Sequence, residues 1–342
     1  MWGSGKYEKP KLLHTVFHLE ERSDERSFYV STHSLPQIFL ERLRSIIPQH
    51  LLPQVENTFT PRTRAGVRVN TLKTTVGEAK EFLTTSGISW QEVPWCPYAL
   101  WVPASSLKDI LASGWGSQGK LYSQGMQSQV PVLVLDPRPG EAVLDLCAAP
   151  GSKTTQIAAH MNNEGRLVAN EPVRARFFRL KSVVDLMGAR VEFKMADGRR
   201  FGGQGTLFDR ILVDAPCSSE GRFNVEDPKT CRYWSVRKIH EMEHKQKGLL
   251  LNASRLLKPG GVLVYSTCTF APEENEGVVD WLLRKTEGRL SLVALTVTGI
   301  PSYPALTAWQ GKEFDPQVAR CLRILPDGDM EGFFVAQFVL SP

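Results

Sequence analysis

The stretch EAVLDLCAAPGSKTTQ, residues 141–156, decides the fold. It opens as a short continuous apolar run, the pattern of a strand buried on both faces, and passes through small residues into a helix. Downstream the strand pattern returns in RLVANE (166–171), VEFKMAD (191–197), FDRILVDAP (208–216) and VLVYSTC (262–268). Helical stretches lie between them around 173–187 and 236–257, and the second is expected to stop at KPGG (258–261). A further helix begins near Pro272, and GFFVAQFVL (332–340) supplies a late strand. Strands alternating with helices predict an α/β fold with a parallel sheet, whose ligands bind at the carboxyl ends of the strands.

Upstream of Ser123 the pattern differs. LPQIFLERLRSII, from Leu35, is an amphipathic helix, and RAGVRVNTL (64–72) alternates as a strand does. A helix follows around 76–86, then the short apolar runs WQEVPW and YALWV, and the Gly-rich Gly114–Gly119 marks an edge. We therefore expect a polar extension over 1–34, a small α+β domain over 35–122 and a larger α/β domain over 123–342.

The 342 residues are 42% hydrophobic and 23% charged, an ordinary globular composition. No stretch approaches the roughly 18 apolar residues of a membrane span. The N-terminus has no apolar signal region, and the mixed-charge EERSDER argues against a transit peptide, so the cytoplasm is expected. Six cysteines are too sparse for a disulfide framework, no CxxC pair is present, and no metal is expected. The net charge of +5 permits a nucleic-acid partner. Residues 35–125 carry nine Lys or Arg against six Asp or Glu, which points Arg64 and Arg68 at phosphate.

Small residues and a Gly at a strand-to-helix turn let a ligand approach the backbone and the helix N-terminus. A P-loop is excluded, because Cys147 and Ser152 occupy its Gly positions, and GxGxxG is absent. The loop thus suits a ligand without a pyrophosphate. Glu171, closing the second strand, suits a pair of ribose hydroxyls; Asp197, closing the third, suits an adenine amine; Asp214 closes the fourth. A single strand-end acid is ordinarily a helix cap. Three on successive strands beside this loop point to a nucleoside with a cationic tail, and S-adenosylmethionine fits.

The fourth strand leads into DAPCSSEG (214–221) and the fifth into STCTF (266–270), so Cys217 and Cys268 leave adjacent strand ends. Most cysteines are small buried hydrophobes. A thiol at a catalytic edge is instead a strong nucleophile, and Lys153 on the same edge would raise its thiolate fraction.

DLCAAPGSKT, NE (170–171), DGR (197–199), DAPCSSEG, KPGGVLVYSTCT and EEN (273–275) resemble the motifs of the Sun-type RNA (cytosine-C5) methyltransferases, in particular the bacterial small-subunit rRNA branch. The likeness takes in RVNTLK (68–73), VPWCPYALWV (93–102) and EGFFVA (331–336), about residues 35–340 in all. It implies a class I, Rossmann-like methyltransferase domain fused to an N-terminal RNA-binding domain. It also implies that Cys268 attacks C6 of cytosine, that Cys217 assists product release, that Asp214 hydrogen-bonds the ring near N3 and that Lys153 helps place cofactor and base. Cys147, Ala148, Ala149, Pro150, Gly151, Ser152, Lys153, Glu171, Asp197 and Asp214 would line the cofactor pocket, with Arg176 a further contact. RNA is the expected partner, rRNA first and tRNA second, and a monomer is expected. The alternatives are a catalytically silent RNA-binding scaffold, against which the intact cysteines weigh, a DNA cytosine methyltransferase, and an amino-group methyltransferase, against which DAPC in place of NPPY weighs.

Two features depart from the family pattern. Similar bacterial enzymes continue into a further C-terminal RNA-binding region, whereas this sequence ends soon after the last strand. The segment 222–228 differs from the usual form and is expected to be a variable loop over the base pocket. Phe223 and Trp234 are suited to stacking on RNA, but core packing is the commoner use of such residues.

Overall fold

The computed structural model describes residues 35–202 and 207–342. The polar extension expected over 1–34 lies outside them.

The alternating run at 64–72 forms β1 (Arg64–Val69), which lies between β3 (Ala99–Pro103) and β4 (Leu121–Ser123) in an antiparallel sheet, with β2 (Gln91–Glu92) beyond β3. Val67, Val69, Leu100 and Val102 from its strands meet Leu83 of the Val76–Thr85 helix in one core. That helix opens with a capping box, in which Thr75 and Glu78 satisfy each other's backbone N–H groups. The amphipathic Gln37–Ile46 helix packs elsewhere. Its Phe39, Leu40 and Leu43 join a cluster with Phe223, Phe270 and Leu325 of the larger domain.

The central sheet contains β5 (Ala142–Asp145), β6 (Arg166–Asn170), β7 (Glu192–Lys194), β8 (Phe208–Asp214) and β9 (Leu257–Thr267), in the parallel order β7-β6-β5-β8-β9. Strand order reverses at β5, so the switch point where α/β sheets bind ligands lies at its carboxyl end. Three further strands and a two-stranded hairpin were not apparent in the sequence. They are β10 (Leu290–Leu292), β11 (Ser302–Pro304), the hairpin β12 (Ala308–Trp309) and β13 (Lys312–Glu313), and β14 (Leu322–Ile324). The expected late strand, β15 (Phe333–Leu340), runs antiparallel to β9 and links β14 and β10 to the sheet.

Two expected boundaries move. The long helix spans Val236–Arg255, and Lys258-Pro-Gly-Gly261 lies inside β9, accommodated by a register slip against β8. β7 stops at Lys194, so Asp197 is not a strand end but caps the turn at Gly198–Arg200.

The two sheets meet around Arg68, which is buried rather than presented to phosphate. Its Nε donates to Gln124 Oε1 at 2.8 Å, and its Nη2 to Thr155 Oγ1 at 2.8 Å and the Ser152 carbonyl at 3.4 Å, in the first turn after the loop 146–151. Burial pushes the guanidinium down to about 10. Nearby, Asn70 Nδ2 donates to the Gly119 and Met187 carbonyls. Gly119, at φ +69°, sits so close to the Leu186 carbonyl that a Cβ would collide with it. Arg64 pairs with Asp329, so it is not a free phosphate ligand either.

Arg68→Ala should therefore cost on the order of 3 kcal/mol of stability, through stranded acceptors and lost packing. Arg64→Ala, at a half-exposed ion pair, should cost less than about 1 kcal/mol. Urea unfolding checks both; equal costs would contradict the buried role of Arg68.

Candidate active site

A cavity of about 420 Å³ opens at the carboxyl ends of β5, β6 and β8. On one side lie Cys147, Ala149, Pro150 and Ser152 of the loop, with Glu171, Val173 and Arg176. The loop's shape follows from the sheet. The Ala148 N–H donates to the Asn170 carbonyl, and Gly151 turns at φ +114°, where a Cβ would press within 3.1–3.3 Å of Leu180 and Val183. Arg176 Nη2 donates to the Ala149 carbonyl at 2.8 Å and lies 3.5 Å from Glu171. Glu171 is buried, and one of its oxygens accepts from the Val173 N–H. Asp197 lines the cavity but is bound to Arg199, which holds its carboxyl down to about 2. Ala148 lines a smaller adjoining pocket, and Gly151 serves as the turn rather than as a wall. Burial pushes the Cys147 thiol well above the usual range, which suits packing rather than nucleophilic attack.

One residue that sequence reasoning passed over is Asp145. It is buried, and its Oδ2 accepts from Thr154 Oγ1 at 2.7 Å. Among the described residues its Oδ1 has no hydrogen-bond partner, and burial raises the carboxyl to about 7. Buried carboxylate oxygens are seldom left unpaired without a functional reason. Asp145 shares the adjoining pocket with Cys147, Ser152, Lys153 and Asp214, so the unpaired oxygen fits the cationic amine of an amino-acid tail.

On the other side of the cavity the two cysteines meet, with Cys217 Sγ 3.4 Å from Cys268 Sγ. The sulfurs share a hydrogen bond, so the pair holds one proton more tightly and the other more loosely. Accepting from Cys217 holds Cys268 below the usual thiol range; donating, together with burial, pushes Cys217 well above it. This lowering comes from the neighbouring thiol and not from Lys153, as the sequence had led us to expect. Lys153 Nζ instead donates to Asp214 Oδ2 at 2.7 Å and Ser128 Oγ at 2.8 Å, and Asp214 Oδ1 accepts from Ser266 Oγ at 2.7 Å. Among the described residues no cluster of three or more His, Cys, Asp or Glu is placed to hold a metal ion, and no helix is long and apolar enough to cross a membrane.

Residues 132–339 match the family described as 16S rRNA methyltransferase RsmB/F. The chain is 40% identical over 276 residues to the tRNA (cytosine(49)-C(5))-methyltransferase of Pyrococcus abyssi, covering 80% of this chain and 87% of that protein. It is 38% identical over 309 residues to the ribosomal RNA small subunit methyltransferase F of Vibrio campbellii, covering 89% of this chain and 63% of that protein. A solved methyltransferase homolog from Pyrococcus horikoshii superposes with a TM-score of 0.77 at 30% identity, covering 89% of this chain and 95% of that one. The chain belongs to the RsmB/F family. It is therefore an S-adenosylmethionine-dependent RNA (cytosine-C5) methyltransferase by family.

Within this RsmB/F chain, the loops after β8 and β9 hold each other. Glu220, on the β8 side, accepts from Thr269 Oγ1 at 2.8 Å and the Phe270 N–H at 3.0 Å on the β9 side. Glu274, on the β9 side, accepts from the Ser218 N–H at 3.0 Å on the β8 side and from Gln246 Nε2 at 2.8 Å. Burial lifts the Glu274 carboxyl to about 8. Phe223 and Trp234 belong to the packing. Phe223 stacks edgewise on Phe39, and the Trp234 indole N–H donates to Glu220. The cavity also takes in residues the sequence did not point to, among them Arg62, Gln127, Lys245 and Leu249. They come from segments far apart in sequence, and no local motif marks them. Arg222, from the expected variable loop, also lines it.

Alkylation by iodoacetamide at neutral pH should modify Cys268 before Cys217. In Cys217→Ala the lost hydrogen bond should raise the Cys268 titration and slow its alkylation several-fold near pH 7. Peptide mass mapping reads both sites; an unchanged Cys268 rate would contradict the shared-proton account.

Proposed function

We propose that this protein methylates C5 of a cytosine in RNA through a covalent bond between Cys268 and C6 of the base, and that ribosomal RNA in the cytoplasm is its substrate. The observation that carries the reading is the pair of sulfurs 3.4 Å apart in one cavity with Asp214 and Lys153.

C5 of cytosine is a weak nucleophile while the ring stays conjugated. Attack by the Cys268 thiolate at C6 forms a C–S bond and moves an electron pair toward C5 and N3. The charge that builds near N3 needs a donor. The Asp214 carboxylate only accepts, so it suits the exocyclic amine, while the Lys153 ammonium beside it supplies the donor. S-adenosylmethionine, when bound, supplies the methyl group as an electrophile. Asp145, with its unpaired oxygen, takes the cofactor's ammonium, and Glu171 its ribose hydroxyls. Asp197, which also lines the cavity and is paired with Arg199, would accept from the adenine amine. A base, such as an admitted water, then takes the C5 proton, the C5–H electron pair restores the C5–C6 double bond, and the C–S electron pair leaves on Cys268 as the thiolate. Cys217, held as the thiol, assists this elimination. The base must be unstacked to reach the cavity. A tRNA substrate is the second reading, carried by the 40% identity to the archaeal tRNA enzyme.

Bisulfite sequencing of rRNA and tRNA from cells with and without the gene should show one cytosine in rRNA losing its methylation; loss in tRNA alone would favour the second reading, and loss in neither would overturn both. Cys268→Ala should form no product and no adduct. Cys217→Ala should complete about one turnover and accumulate as a ribonuclease-sensitive protein–RNA band on a denaturing gel. The reverse pattern would exchange the two roles. Asp145→Asn should weaken cofactor binding by about 1.5–3 kcal/mol, the worth of a charged hydrogen bond. Because the Asp145 carboxyl must ionise to pair with the ammonium, wild-type affinity should rise from about pH 5.5 to about pH 7, and the variant's should stay flat. Calorimetry showing equal affinities would remove Asp145 from the site.

A further inference from the structure

The cations that the sequence placed on the N-terminal domain are mostly spent within the protein. Of the nine Lys and Arg in residues 35–125, five pair with carboxylates: Arg42, Arg44, Arg62, Arg64 and Lys80. Arg68 is buried, and Lys73 donates to the Gln118 and Leu186 carbonyls. Residues 173–200 contrast with this. They hold eight Lys or Arg against three Asp or Glu, a net +5 that equals the formal charge of the whole chain. Within them Arg176 pairs with Glu171, and Arg199 with Asp197. Arg174, Arg179, Lys181, Arg190, Lys194 and Arg200 have no carboxylate at ion-pair distance among the described residues, and all six are exposed.

Aromatic rings stand among these charges. On the Arg174–Met187 helix, Arg174, Phe177, Phe178 and Lys181 fall on one stripe at helical spacing, ending at Asp185 one turn further on. Phe178 is 52% exposed, with the Arg174 guanidinium 5.7 Å from its centroid. Phe177 meets it edgewise and also meets Phe193, over which Lys181 lies at 5.6 Å. Large exposed aromatics flanked by unpaired cations form a surface on which a base stacks while neighbouring phosphates are neutralised. The stripe begins beside the cavity, since Val173 and Arg176 line its wall.

We propose that this helix face is a docking track for single-stranded RNA flanking the target cytosine, with Phe178 stacking a base and Arg174 and Lys181 binding phosphates. This rests on the reading of the protein as an RNA methyltransferase. It moves the phosphate footprint from the N-terminal sheet to the rim of the catalytic domain. None of the three side chains lines the cavity.

The test is fluorescence anisotropy with a labelled, unstructured RNA oligonucleotide containing cytosine, measured over a range of salt. Phe178→Ala should weaken binding on the order of tenfold without changing the salt slope, because stacking releases no counterion. Arg174→Gln with Lys181→Gln should weaken it and flatten the slope by about 1.4, two phosphates at about 0.7 each. Cofactor affinity, read by calorimetry, should be unchanged in both variants and serves as the control for folding. If the wild type binds the oligonucleotide and neither variant alters affinity or slope, the track is overturned while the RNA reading stands. If polyglutamate binds as tightly as RNA and Phe178→Ala has no effect, the face docks an acidic protein and the proposal is likewise overturned. A wild type that binds no RNA would overturn the RNA reading and the track with it.

Discussion

Everything at the catalytic edge depends on two buried carboxylates that cross-brace the ends of β8 and β9. Each loop lends a carboxylate to the other: Glu220 reaches from the Cys217 side to Thr269 and Phe270, and Glu274 from the Cys268 side to Ser218. The Gly221 N–H also donates to the Cys268 carbonyl, and Ser218 Oγ shares a hydrogen bond with Thr269 Oγ1. Two loops from parallel strands would otherwise splay. Held in this way, they bring two thiols within 3.4 Å, close enough to hydrogen-bond to each other. The proposed division of labour between the cysteines thus rests on backbone support. Below this brace a bidentate pair between buried Arg323 and Glu276 fixes the start of the Glu276–Thr286 helix.

The same economy governs the cofactor side. Burying a carboxylate is costly unless it is paired. Glu220 and Glu274 are satisfied by protein donors, whereas Asp145 keeps one oxygen unpaired beside the loop. That difference sets Asp145 apart from the two bracing acids and underlies its proposed role toward the cofactor. The cavity thus carries an unpaired carboxylate oxygen near the switch point and, on the neighbouring strand ends, a thiol pair and the Lys153–Asp214 couple.

Much of this was legible in the sequence. The alternation of apolar strands and helices after Ser123 gave the parallel sheet, because strands buried on both faces leave a continuous apolar run. The two Cys motifs were legible because they follow such runs directly. The failures have physical causes as well. Arg68 looked like a solvated strand charge, since period-2 alternation does not tell which face another domain covers; here it carries the joint to Ser152 and Thr155. Asp145 was overlooked because it lies inside the strand pattern, and only the structure shows an oxygen without a partner. Lys258-Pro-Gly-Gly261 read as a helix stop, but the helix has already ended at Arg255 and the segment lies in β9, where a register slip absorbs it. The brace itself joins residues about fifty positions apart and leaves no local signature.

The central claim is that Cys268, and not Cys217, bonds to the base. The most direct measurement uses RNA carrying 5-fluorocytosine at the target position. Fluorine at C5 cannot leave as a proton, so elimination is blocked and the covalent species persists. After incubation with S-adenosylmethionine and digestion, tandem mass spectrometry locates the attached nucleotide. The account predicts the modification on the peptide containing Cys268. A nucleotide on the Cys217 peptide, or no attachment in an enzyme that methylates ordinary RNA, would contradict it.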